Sequence, residues 1–164
     1  MRKQRGFSLI ELLIVVAIIL IIAAIAIPNL LRARIAANES SAASGIRTIN
    51  TAEISYFSAY QTYAALLSNL GPGGPTTACP GAAAATACLI DGVLASNGNP
   101  AASGKSGYSY TATGTATTYN AVANPLTVNT TGVRSFCSVE DAVVRFQAVG
   151  PLAGACDQTI PPLQ

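Results

Sequence analysis

One carboxylate in this 164-residue chain stands where a carboxylate is costly. Glu11 directly precedes Leu12–Ile27, LLIVVAIILIIAAIAI, sixteen residues without a polar side chain. In hydrocarbon a charged carboxylate costs on the order of 2–3 kcal/mol even on lenient scales, unless it meets a partner. Ser8 lies three residues upstream, and Ser-x-x-Glu is the capping-box pattern, in which the glutamate satisfies a backbone donor at a helix start. Capping and charge pairing are two roles between which Glu11 can alternate.

The other reactive side chains are four cysteines, Cys79, Cys88, Cys137 and Cys156, all in the polar part of the chain. An even count beside an export-type N-terminus points to two disulfides and an oxidising compartment. Four cysteines allow three pairings; the sequence-local set, Cys79–Cys88 with Cys137–Cys156, is favoured, and buried free thiols are the alternative. The chain lacks histidine and CxxC pairs, so neither a metal site nor a cofactor is expected. It has no GxSxG, no phosphate-cradling glycine loop and no carboxylate pair suited to hydrolysis, so it does not read as an enzyme. Glu140-Asp141 reads as a polar turn, with calcium ligation as the alternative. Asn38-Glu39-Ser40 and Asn129-Thr130-Thr131 match the N-glycosylation acceptor pattern, as many tripeptides do by chance.

Composition divides the chain into two objects. Apolar residues make up 51% and charged residues 10%, but the apolar excess is concentrated before about Ala36. Beyond that point the sequence is rich in Ser, Thr, Ala, Gly and Asn. The net charge of +2 is also uneven, because Arg2, Lys3 and Arg5 crowd the first five residues. Basic residues directly before an apolar run mark the cytoplasmic side of a membrane segment. The remainder is close to neutral, which leaves no electrostatic footprint for nucleic acid.

The N-terminus admits three readings. A secretory signal peptide would have its small-x-small site at Ala24-Ile25-Ala26, although Glu11 then falls inside the apolar region. A plain membrane anchor is the second reading, since the run is long enough to cross most of a ~30 Å core. In the third, the chain is cut before the apolar run, between Gly6 and Phe7.

Gly6-Phe7-Ser8-Leu9-Ile10-Glu11-Leu12-Leu13-Ile14-Val15-Val16 resembles the leader junction and mature start of type IV pilins and pseudopilins. The resemblance covers about thirty residues and includes the basic leader, the Gly-Phe junction, Glu11 and Pro28 late in the apolar run. It implies a leader of residues 1–6, removed by a prepilin peptidase that also N-methylates Phe7. It further implies a hydrophobic transmembrane and filament-core helix over residues 7–31. Residues 32–164 would then hold the amphipathic second half of the helix and an α+β head. Cleavage would leave an ammonium at Phe7, one turn from Glu11, and such an amine could neutralise Glu11 of a neighbouring subunit and fix axial register. Pro28 implies a kink. The family pattern implies a helical homo-oligomer built with assembly-platform proteins, held in the inner membrane with a periplasmic head before assembly and extracellular afterwards. The function implied is a structural pilus subunit for adhesion, motility or DNA uptake; a type II secretion pseudopilin and a minor pilin or adhesin are the alternatives.

Past the proline, Ile46, Ile49, Ile54, Phe57 and Tyr60 recur at helical spacing with Glu53 among them, which predicts an amphipathic continuation packed on the head. Gly45 is a weak point in that helix. Tyr56, Phe57, Tyr60 and Tyr63 read as core and interface residues rather than an electron-transfer array. Arg32, Arg34 and Arg47 read as a solvated face, free to pair with Glu39 or with acidic groups of neighbours. Tyr63–Leu70 suggests one more helical turn, residues 71–106 a loop, and Cys88-Leu-Ile-Asp-Gly a short extended piece. Alternating β-branched and aromatic residues predict strands at 108–113, 118–123, 134–138 and 142–146, with turns at Gly114, Asn124-Pro125, Gly132 and Glu140-Asp141. The fold expected is therefore α+β, a long N-terminal helix packed against a roughly four-stranded antiparallel sheet. The Gly-Tyr start of the first strand, the Arg-Ser-Phe strand and the Cys137–Cys156 bracket also resemble the C-terminal sheet and disulfide loop of type IV pilins. Pseudopilins commonly lack that loop.

Overall fold

The computed structural model describes residues 7–163; the expected leader of residues 1–6, with Gly6, lies outside the described residues. A single helix, α1, runs from Leu9 to Tyr60. The Ile/Val-rich start is not favoured by intrinsic propensity, because β-branched side chains lose rotamer freedom in a helix. In an apolar medium a helix nevertheless satisfies every backbone group internally, which outweighs that preference. Pro28 sits inside α1 without ending it. Lacking an N–H, it leaves the carbonyl of Ala24 without its usual donor four residues on. The helix stops at Gln61, which adopts a left-handed conformation (φ 57°) while its N–H donates to Phe57 O at 2.8 Å.

The backbone separates into two compact units, the first ending at Arg34 and the second beginning at Ile35. In the first, the large apolar side chains from Leu9 to Leu31 are exposed on every side of the helix. At about 1.5 Å per residue, Leu9–Leu31 extends roughly 34 Å, enough to cross a ~30 Å hydrocarbon core. It is the one helix among the described residues long and apolar enough to do so.

In the second unit, α1 buries Glu39, Ala42, Ala43, Ile46, Ile49, Asn50, Glu53 and Tyr56. The expected stripe is packed at Ile46, Ile49 and Glu53 and loosens towards the helix end. Phe57 and Tyr60 are only half-buried, and Ile54 is 54% exposed. At about 100° per residue Ile54 lies roughly 80° round from Ile46, beyond the packed face. Four strands follow: β1 (Tyr108–Gly114), β2 (Tyr119–Pro125), β3 (Ser135–Val139) and β4 (Arg145–Gln147). They form an antiparallel meander in the order β1-β2-β3-β4. The fold is α+β. Asn124 and Pro125 stay in β2, opposite Ser109 and Tyr108, so the turn into β3 comes later than the sequence suggested.

Tyr108, Tyr110 and Ala112 of β1 and Phe136 of β3 join the helix stripe in the main core. Gly45 is where Tyr110 meets the helix, since a Cβ there would lie 2.7 Å from the ring. The helical weak point is thus a packing site. The second face of the sheet carries Val122, Cys137 and Val139 under Cys156, Leu152 and Ile160 of the C-terminal segment. That segment also closes the β4 edge, where Phe146 N–H donates to Pro161 O (3.1 Å) and Leu163 N–H to Val144 O (2.8 Å). An exposed sheet edge is an aggregation template, so this strap has a protective role.

Between α1 and β1 the chain forms a 3₁₀ turn, Leu67–Leu70, and a short helix, α2, Gly92–Ala95. The extended piece expected at Cys88–Gly92 is absent. Leu89 and Ile90 both donate to Leu70 O, and Asp91 caps α2 by accepting from Leu94 N–H at 2.9 Å.

Candidate assembly site

The N-terminal site is built by the first turn of α1. Ser8 precedes the first helical residue and Glu11 occupies the third helical position, so the glutamate can fold back along the axis. Its Oε2 accepts from the Ser8 backbone N–H at 2.9 Å, the reciprocal arm of a capping box. Leu12 N–H donates to Ser8 O at 3.3 Å and closes the turn. A carboxylate here also meets the positive end of the helix macrodipole. Phe7 is 81% exposed. The arrangement presents an anion beside the chain start at one end of a wholly apolar helix segment. Pro28 lies about five turns further on and takes no part in it.

In the head, Glu39 is nearly buried and forms the most connected acidic centre. Its Oε1 accepts from the backbone N–H groups of Val133 (2.9 Å) and Arg134 (3.1 Å). Its Oε2 accepts from Arg134 Nε (2.8 Å) and Nη2 (2.7 Å). Burial alone would raise its pKa, but these donors outweigh that and hold the carboxyl below the usual range. The arginine that pairs with Glu39 is therefore Arg134, not Arg32, Arg34 or Arg47. The guanidinium also sits 5.7 Å from the ring centres of both Phe136 and Phe146. Tyr108 Oη donates to Arg134 O (2.8 Å), fixing the same strand start. One helical residue thereby locks the entry to β3.

Glu53 is the opposite case. It is fully buried, and Oε2 accepts one bond, from Ala64 N–H at 2.9 Å, while Oε1 has no partner. Burial pushes its pKa from 4.5 to about 7. Next to it on the helix, Asn50 donates to Ala142 O (3.0 Å) and accepts from Tyr119 Oη (3.1 Å). Tilted ring pairs continue the tie between the helix end and β2, with centroids 4.8 Å apart for Phe57–Tyr63 and 4.9 Å for Tyr63–Tyr119. Asp141 pairs with Arg145, its Oδ1 accepting from Nη1 at 2.9 Å, and the Glu140-Asp141 turn is thereby an ion-paired corner.

Cys79 joins Cys88 and Cys137 joins Cys156, with Cα separations of 5.9 and 5.7 Å. The first bridge staples the loop before α2. The second pins the C-terminal segment to β3, where Cys137 opposes Val122. A closed loop of nineteen residues stabilises by about 3 kcal/mol in the chain-entropy model. Asn97 was not legible in the sequence. It accepts from Tyr110 N–H (2.7 Å) and donates to Ser109 Oγ (3.0 Å), covering the free edge of β1. Its only local signal was the Asn-Gly pair, which marks a turn and not an edge cap.

A family profile described as the prokaryotic N-terminal methylation motif matches residues 1–27. The chain carries that motif. It spans the Gly6–Phe7 junction, Glu11 and the apolar run up to the residue before Pro28. The chain is also similar to a type IV major pilin protein, PilA, of Myxococcus xanthus, 44% identical over 69 residues. That match covers 42% of this chain and 31% of the relative. Similarity to the type IV wide pilus major component PilA4 of Thermus thermophilus is 65% over 40 residues, covering 24% of this chain and 30% of the relative. The match thus spans about a third of the length of each relative. A long helix with a four-stranded antiparallel meander is consistent with the type IV pilin fold. The motif and the apolar helix fit a membrane-anchored precursor.

Proposed function

We propose that this chain is the structural subunit of a type IV pilus, cut between Gly6 and Phe7, N-methylated at Phe7 and assembled through α1. The observation that carries this reading is a helix apolar on every side that opens on a capped carboxylate, within a matched methylation motif. Such a helix needs an apolar environment, first lipid and then the helices of other copies. Both relatives named above are major pilus components, which favours a structural subunit over a single-copy adhesin. The loop closed by Cys137–Cys156 favours a pilin over a secretion pseudopilin.

Capping and pairing at Glu11 need not alternate. An ionised carboxylate offers about four lone-pair sites on two oxygens. With Oε2 held by Ser8 N–H, Oε1 remains open to the ammonium at Phe7 of an incoming subunit. The bond to Ser8 also restrains the carboxylate, so less freedom is lost when the amine arrives. Partners on this reading are further copies of the chain, the inner membrane, a prepilin peptidase and methyltransferase, and the assembly platform. The head is periplasmic before assembly and extracellular after it.

The test is a mass spectrum of the N-terminal peptide from sheared cell-surface filaments. A dominant protein starting at N-methylated Phe7 is the expected result. A Phe7 start found only in membranes, with no share of the filament fraction, would transfer the role to a pseudopilin or minor pilin. A start at Ile27 would mean an ordinary secreted protein.

A further inference from the structure

Two acceptor tripeptides occur in the sequence, and the head treats them in opposite ways. Asn38 lies on α1, where its amide Nδ2 donates to Thr131 O at 2.8 Å across the head. An amide already committed inside a helix is not available to a transferase. Asn129 sits in the loop 126–134 between β2 and β3, and its side chain is exposed. Among the described residues that side chain makes no hydrogen bond, and its backbone is left-handed (φ 63°). Leu126, Thr127 and Thr130 around it are exposed too, so the approach is open.

The residue two places on completes the pattern. Thr131 Oγ1 accepts from Thr127 N–H (3.0 Å) and donates to Thr127 O (3.1 Å). Both bonds stay inside the loop. Opening this one turn therefore frees the acceptor hydroxyl without disturbing the β2–β3 ladder, whose pairing runs from Asn120–Val139 to Ala123–Phe136. A bulky polar group at Asn129 would meet solvent and not core.

We infer that Asn129 is an N-glycosylation site. The donor class is a polyprenyl-pyrophosphate-linked oligosaccharide on the membrane face where the head resides. A bond forms between Asn129 Nδ2 and the sugar's C1, the C1–O bond to pyrophosphate breaks, and polyprenyl pyrophosphate leaves with the bonding electrons. The amide proton passes to a carboxylate of the transferase and then to solvent. This rests on the proposed function in one respect, that the head is exported.

The experiment is peptide mass spectrometry on the full chain purified from the cells that make it. Three samples are compared: wild type, Asn129→Asp and Thr131→Ser. Asn129→Asp keeps the shape and the tolerance of a left-handed backbone but removes the nucleophilic nitrogen. Thr131→Ser keeps the hydroxyl and both turn bonds. The expected result is a sugar mass on the Asn129 peptide of wild type and of Thr131→Ser, absent from Asn129→Asp, with the Asn38 peptide bare. A bare Asn129 in wild type, or a sugar that persists in Asn129→Asp, would overturn the inference. The same spectra read the N-terminus and the cysteines. A bare Asn129 on a chain starting at Phe7 with both disulfides formed defeats the glycan alone. A bare Asn129 on an uncut chain with free thiols defeats the export reading as well.

Discussion

Glu53→Gln is expected to make the head more stable at neutral and alkaline pH and no more stable in acid. Glu53 is fully buried with one bond to one oxygen and none to the other. The groups facing it are Tyr56 on its own helix and Tyr119 on β2, and both would be repelled on ionising beside it. The single bond from Ala64 N–H only partly offsets the burial, which raises the Glu53 carboxyl from 4.5 to about 7. The sign follows from linkage. In the window between these values the unfolded chain releases a proton that the folded chain retains, so stability is full below about pH 4.5 and falls as pH rises. At about 1.4 kcal/mol per unit the loss reaches roughly 3 kcal/mol by neutral pH and levels off above it. Gln can still accept from Ala64 N–H and stays neutral throughout. Its NH₂ then replaces the oxygen that lacks a partner, an imperfection shared with the protonated acid. The assay is urea denaturation of the full chain in detergent, followed by near-UV circular dichroism from about pH 4 to pH 9. The difference between variant and wild type should grow from near zero to about 3 kcal/mol across that range. An equal offset at every pH would refute the reasoning, because it would mean that Glu53 titrates alike in the folded and unfolded chains.

Glu11→Gln should leave membrane insertion intact and abolish filament formation, read by carbonate extraction and by electron microscopy of sheared filaments; normal filament yield would exclude the pairing role. Glu39→Ala should cost about 2–4 kcal/mol, because it strands the Val133 and Arg134 backbone donors and a half-exposed guanidinium. Since the Glu39 carboxyl is held low, its stabilisation is present above about pH 4.5 and lost below it, so an acid titration of wild type against this variant should show the two converging. Gly132→Ala drives a Cβ into the Tyr108 hydroxyl and should destabilise by about 1–3 kcal/mol, detectable as a lower urea midpoint at unchanged slope.

What the sequence revealed depended on how local each signal was. The Glu11 turn closes within four residues, and its bond to Ser8 spans three, so a short motif contains the whole geometry. The first strand was legible because alternation is a local consequence of the pleat: Tyr108, Tyr110 and Ala112 face inward while Thr111 and Thr113 face out; the fourth, expected from Ala142, begins only at Arg145. Most of the helix stripe was legible for the same reason, apart from Ile54, where an apolar residue on the flank of a packed face resembled a member of it. The Glu39–Arg134 lock joins residues 95 apart, and neither flanking sequence carries any mark of the other. Arg47 was as good a candidate by spacing; only the closure of the sheet against α1 selects Arg134. Glu53 shows the finer limit. Its place on the stripe was readable, and so was its burial, but whether a cation faces it depends on which residues the turn after Tyr60 and the second strand bring back. They bring a backbone N–H and the phenol of Tyr119. A charge on the stripe therefore meant opposite things fourteen residues apart: at Glu39 a satisfied anion that fixes the start of β3, at Glu53 a proton kept past the pH at which solvent would take it. Spacing along the helix cannot tell these apart, because the difference lies wholly in the strands that return to meet it.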